Sequence, residues 1–226
     1  MTTPWHQSLP VEPELEGDPA LLQECLGSPG GLGTLGPAVW SAKPQPVTDA
    51  GSLQRLVERY RESVLLPLEL PAIRGAFLHA SRYEVRELIQ LDRELSRQSK
   101  LLEFAFASQA VGRAFLRRLR PLRDVRLLRR YEQAVHEGKA DGWHTLVYGT
   151  VLSVYSLPLR QGLLGYARQT LNGFLEAGAG HLQLTVRELR QLQDSVLTPL
   201  PQRLQDLGTA SLRCLPPRPH GASEPR

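Results

Sequence analysis

At 226 residues the chain can bury one sizeable core or two small ones, and a content of 41% hydrophobic and 22% charged residues is the balance of a globular protein. A net charge of +4 and a pI near 9.3 give weak attraction to acidic partners and argue against a dedicated polyanion binder. The two cysteines, Cys25 and Cys214, lie far apart without metal-ligand spacing, the N terminus lacks the basic and apolar regions of a signal peptide, and no apolar run reaches the roughly 18–20 residues of a membrane span, so a cytoplasmic protein with reduced thiols is expected.

Residues 1–18 are proline-rich and acidic, with Glu12, Glu14, Glu16 and Asp18 in one short span, and carry too little apolar surface to offset ordering entropy; a disordered tail is expected there. ALLQECL and GSPGGLGTLGP follow; the latter has glycines but neither the GxGxxG spacing nor a preceding strand, which rules out a dinucleotide-type phosphate loop. From Thr48 the pattern turns helical. Asp49 is the expected N-cap of a helix whose stripe is Leu53, Leu56, Val57, Tyr60 and Val64, with Pro67 and Pro71 expected to end it and start the next. Ser81 and Glu84 have capping-box spacing and are expected to open a helix with Val85, Leu88, Ile89 and Leu95 inward.

A helix from about Lys100 to Arg120, a basic one from about Arg123 to Val135 and a turn at HEGKADG come next. Two more helices join near Leu157–Pro158, and a last one, from about Leu182 to Leu207, is expected to break at Pro199 and Pro201. No segment alternates with period two. The expected fold is all-α: one helical-bundle domain of about eight helices over 19–212, between flexible tails at 1–18 and 213–226.

Catalytic spacing is missing. His79, His136, His144 and His181 are isolated, HExxH and HxH are absent, and Glu103, Asp124 and Glu132 are scattered among arginines. An enzyme assembled from separated residues such as His144, Tyr148 and Glu103 has no support in spacing, so no catalysis and no metal site of the chain's own are expected. Eight arginines between Arg113 and Arg130 face a single acid, Asp124. Guanidinium groups bind phosphate, yet no aromatics interleave for base stacking and Leu116, Leu119, Leu122, Leu127 and Leu128 keep apolar faces for packing. A solvated face or a surface for an acidic protein is the preferred reading; an arginine-rich nucleic-acid binder or another adaptor is the alternative.

Glu103, Ala107, Ser108, Gly112, Arg113 and Leu116 form an ordered mid-chain helix motif, and His144, Val147, Gly149 and Pro158 a later His-x-x-Val-x-Gly segment with a Pro-headed helix. In order and spacing these motifs resemble the urease accessory family UreF. The resemblance spans roughly 47–207. It departs at Ala105, where the family has Arg, and at Gln183, where a basic residue is usual. It implies an all-helical, non-enzymatic protein, often dimeric, that bridges the scaffold UreD (also UreH) to the GTPase UreG and influences when that GTPase acts as nickel enters apo-urease. Nickel and GTP are then handled by partners, and no cofactor, nucleic acid or membrane is bound by this chain. Glu103, Ser108, Gly112, Arg113, His144, Gly149 and Gln183 become candidate interface or structural positions.

Ser108 and Gly112 are four residues apart and share a helix face, where small residues let another backbone approach; Gly149, Gly165 and Gly173 are the candidate facing positions. Arg113 is expected either to pair with an acid such as Glu103 or Glu132 or to face a partner.

Overall fold

The computed structural model describes residues 47–119 and 126–210; the expectations for 1–18, 19–46 and 213–226 lie outside them. The described elements are helical: α1 (Ala50–Tyr60), a π-helical segment (Arg61–Glu69), α2 (Leu70–Ser81), α3 (Val85–Ser96), a 3₁₀ turn (Ser99–Leu101), α4 (Leu102–Arg118), α5 (Arg126–His136), α6 (His144–Val154), α7 (Leu159–Leu182), α8 (Val186–Leu197) and α9 (Leu200–Ala210). The all-α expectation holds.

Asp49 caps α1 as expected: its carboxylate accepts the Ser52 N–H at 2.7 Å, and the Ser52 hydroxyl oxygen accepts the Asp49 N–H at 3.0 Å. Leu53, Val57, Tyr60 and Val64 are buried, so the three-and-four stripe is the core face. Pro67 does not end the helix. It lies inside the π segment, and the chain stays helical through it although its missing N–H removes one backbone donor. Pro71 sits in the first turn of α2, where a missing N–H is harmless.

The capping box at Ser81 is absent. Ser81 ends α2, with its hydroxyl donating to the Leu78 carbonyl at 2.9 Å, and the chain reverses through Tyr83 at φ 57°. Glu84 is the N-cap residue of α3, and its carboxylate lies 2.8 Å from His79 Nδ1, tying the two helix ends together. A true capping box occurs later, at Thr185 and Glu188 of α8. The expected last helix is two, α8 and α9, separated at Thr198–Pro199, with Pro201 in the first turn of α9.

α6 is the centre of the bundle. Every residue from His144 to Leu152 is buried, with α2 and α4 packed against it. α7 packs on α1 and α2 and carries α8 and α9, while α3 holds α5. A helix that is apolar nearly all round belongs inside, and WHTLVYGTVL shows that in its composition. Among the described residues no helix is long and apolar enough to cross a membrane.

Candidate functional site

The motif residues converge where α4 meets the loop that leads into α6. Asp92 of α3 organises this place. Its carboxylate accepts the Tyr131 hydroxyl at 2.5 Å and the backbone N–H groups of Asp141 (2.5 Å), Gly142 (3.1 Å) and Trp143 (3.4 Å). The loop is tied down from three further directions. Arg93 Nε donates to the Lys139 carbonyl at 2.8 Å, Arg113 Nε donates to the Asp141 carbonyl at 2.9 Å, and the Trp143 indole donates to Ser96 Oγ at 2.7 Å. Ser96 Oγ in turn lies 2.5 Å from a carboxylate oxygen of Asp141.

Burial raises the Asp92 pKa above the ordinary Asp value, against the pull of the Tyr131 hydroxyl and the loop N–H groups, which favour the charged form. The Tyr131 hydroxyl is pushed well up by burial and by the neighbouring carboxylate.

Gly112 sits against this loop. A Cβ on it would lie 2.1 Å from the Gly142 carbonyl oxygen, 2.7 Å from the His144 nitrogen and 2.9 Å from the Trp143 carbonyl carbon. All three are backbone atoms that cannot swing aside, so the close approach requires glycine. It outweighs the cost of about 1 kcal/mol of glycine inside a helix relative to alanine. Gly142 adopts φ +75°, a left-handed conformation that favours glycine. The facing partner of Gly112 is therefore the 142–144 backbone, not Gly149, Gly165 or Gly173. Gly149 has its own close contact, with the Ile73 carbonyl oxygen of α2 2.3 Å from where its Cβ would be.

Ser108 and His144 are buried as well. The His144 ring lies among Phe115, Tyr148 and Tyr166, with centroids 6.2, 6.2 and 5.7 Å away. His144 and Tyr148 are thus near each other, but both are fully enclosed by the bundle. Arg113 is exposed and anchors the loop through Nε. Glu103 lies in the first turn of α4, and its side chain falls outside what the structure describes. Gln183 is distant in role: it caps the C terminus of α7 in the left-handed conformation, at φ 53°. The structure thus gathers Gly112, Arg113 and His144 around one junction, buries Ser108 one turn earlier on α4, sets Gly149 further along α6, and leaves Gln183 apart.

A second buried carboxylate, which the sequence reading does not single out, lies in the bundle. Glu69 ends the π segment, where the Tyr60 hydroxyl donates to it at 2.6 Å and the Tyr166 hydroxyl lies 3.5 Å away. Burial raises its pKa from 4.5 to about 7, with the two hydroxyls pulling the other way. Both this residue and Asp92 leave a signal in the sequence. Asp92 occupies the apolar stripe of α3, four residues after Leu88 and three before Leu95, and Glu69 stands alone in the run VLLPLELPAI.

The described arginine side chains of α4 and α5 lie on the surface. Arg113, Arg117, Arg126, Arg129 and Arg130 are exposed, while Leu116, Leu127, Leu128 and Tyr131 turn into the core. Among the described residues, no group of three His, Cys, Asp or Glu side chains gathers as a bound metal ion would require. The site's groups are spent on one another: they fix a loop and a helix junction.

The UreF family model matches residues 47–186, from the residues before α1 to the start of α8, which is more than half of the chain. No curated protein matches the chain.

Proposed function

The chain belongs to the UreF family of urease accessory proteins, and from that premise we propose that it is a non-enzymatic adaptor bridging the UreD/UreH scaffold and the GTPase UreG. In this reading it modulates when the GTPase acts while nickel, the cargo, enters apo-urease in the cytoplasm. The metal and the nucleotide are held by its partners, and the adaptor works as a homodimer. The family match across the helical core carries the proposal.

The chemistry of the motif residues supports it. Ser108, Gly112, His144 and Gly149 are buried and shape the frame, so partner contact falls to the exposed surface. That surface carries the outward arginines of α4 and α5, which suit an acidic protein face.

The test is genetic and chemical. In an organism that carries this gene beside urease genes, deletion should leave urease protein present but poor in nickel and inactive, and the wild-type gene should restore both. Urease that is fully nickel-loaded in the deletion strain would overturn the proposal.

A further inference from the structure

α3 and α5 form the walls of a surface groove of about 310 Å³, which shares Arg130 with the basic surface of the adaptor reading. Its floor is apolar, from Val85, Ile89 and Ala134, and its rim carries Arg86, Arg130 and Lys139 with one acid, Glu137. Lys139 Nζ and Glu137 pair with each other at 2.5 Å. Arg86 and Arg130 are exposed and make no ion pair with any described residue. The groove therefore presents two uncompensated guanidinium groups beside apolar surface.

The charge of the chain is divided in a way that matches this. Residues 1–46 hold five acids (Glu12, Glu14, Glu16, Asp18 and Glu24) against Lys43, whereas the remainder holds twenty-six basic and eighteen acidic residues. Four of those acids fall within 12–18, and Leu21, Leu22 and Leu26 follow directly. An acidic run followed by leucines is complementary to a cationic rim over an apolar floor. The outward face of Arg126 and Arg129, by contrast, offers charge without a floor.

Reach is not limiting. The described chain begins at Val47, and residues 27–46, between the proposed ligand and that point, can span on the order of 70 Å when extended. α7, the longest helix, is roughly 36 Å long. A tether of this kind holds the acidic segment near the groove at an effective concentration in the millimolar range.

We propose that the groove between α3 and α5 is the docking site of the chain's own acidic segment, residues 12–26, with carboxylates on Arg86 and Arg130 and leucines on Val85, Ile89 and Ala134. The contact covers part of the basic surface in cis and weakens its attraction to other polyanions.

Cys25 lies inside the proposed ligand and gives the test its probe. In the full-length Cys214→Ser chain it is the single thiol, and a nitroxide attached there broadens nearby amides. At ionic strength on the order of 10 mM, where the Debye length is ~30 Å, amides of 85–89 and 130–139 should lose most of their intensity. They should recover at about 1 M salt, where that length is ~3 Å, and in Arg86→Glu/Arg130→Glu at low salt. A matching thermal melt shows that the double variant is folded. Absence of broadening at the groove, or broadening that survives the charge reversal, overturns the proposal. So does broadening that appears when the nitroxide is carried only by isotopically silent copies, because the occupant is then a second molecule.

Discussion

Asp92 and Glu69 are both carboxylates enclosed by the same bundle, and they are solvated in opposite ways. Asp92 is surrounded by donors, with three backbone N–H groups of a loop and one tyrosine hydroxyl. Glu69 meets two tyrosine hydroxyls, one of them at 3.5 Å, and no backbone N–H among the described residues. Burial raises both, and for Glu69 it brings the carboxyl to about 7. A buried acid that replaces its lost water with several N–H donors can work as a fixed anchor; one with fewer donors becomes sensitive to pH.

The largest expected effect breaks the anchored side. Asp92→Ala strands the loop N–H groups and the Tyr131 hydroxyl, and should lower unfolding stability by about 4 kcal/mol in urea titration. Gly112→Ala attacks the same loop from α4. Its added methyl meets backbone at 2.1 Å, and a loss of roughly 3 kcal/mol is expected by the same measurement. A variant as stable as wild type would mean that α4 can shift away from the loop.

Glu69 sharpens the comparison through pH. Its folded pKa is raised from 4.5 to about 7, so the proton it binds favours the folded state: the contribution is complete below pH 4.5 and is lost as pH rises through about 7. The wild type should lose on the order of 2–3 kcal/mol from this group across that window, and Glu69→Gln should flatten that part of the profile. An unchanged slope would mean that Glu69 gains water or a donor when charged.

Tyr131→Phe and Tyr60→Phe each remove one hydroxyl donor, and each should cost on the order of 1 kcal/mol by urea titration near pH 7. The smallest effect lies on α4's outer side. Phe106 is 87% exposed, against 6% for Phe104 two residues earlier, so Phe106→Ser should stay within about 0.5 kcal/mol of wild type in a thermal melt.

Much of this was readable before any coordinates. The three-and-four stripes of α1 and α3, the Asp49 cap and the all-apolar α6 follow from local pattern, and local pattern is what a sequence displays. Proline is expected to end a helix because it lacks an N–H and crowds the preceding turn, yet Pro67 lies inside a π segment that continues into α2. Ser81 has the right spacing for a cap, but its hydroxyl bonds back to Leu78. The small face of Ser108 and Gly112 was legible; its partner, the 142–144 backbone, was not, because thirty residues separate them and no side-chain pattern announces a carbonyl. Asp92 and Glu69 were visible as acids out of place in apolar runs, although nothing local says which donors receive them.

The adaptor function is tested most directly by mixing purified full-length chain with UreD/UreH and UreG from the same organism and resolving the mixture by size exclusion. The account predicts one peak containing all three proteins, and separate elution of scaffold and GTPase when this chain is left out. A scaffold–GTPase complex that forms equally well without it, or this chain eluting alone beside folded partners, would contradict the account.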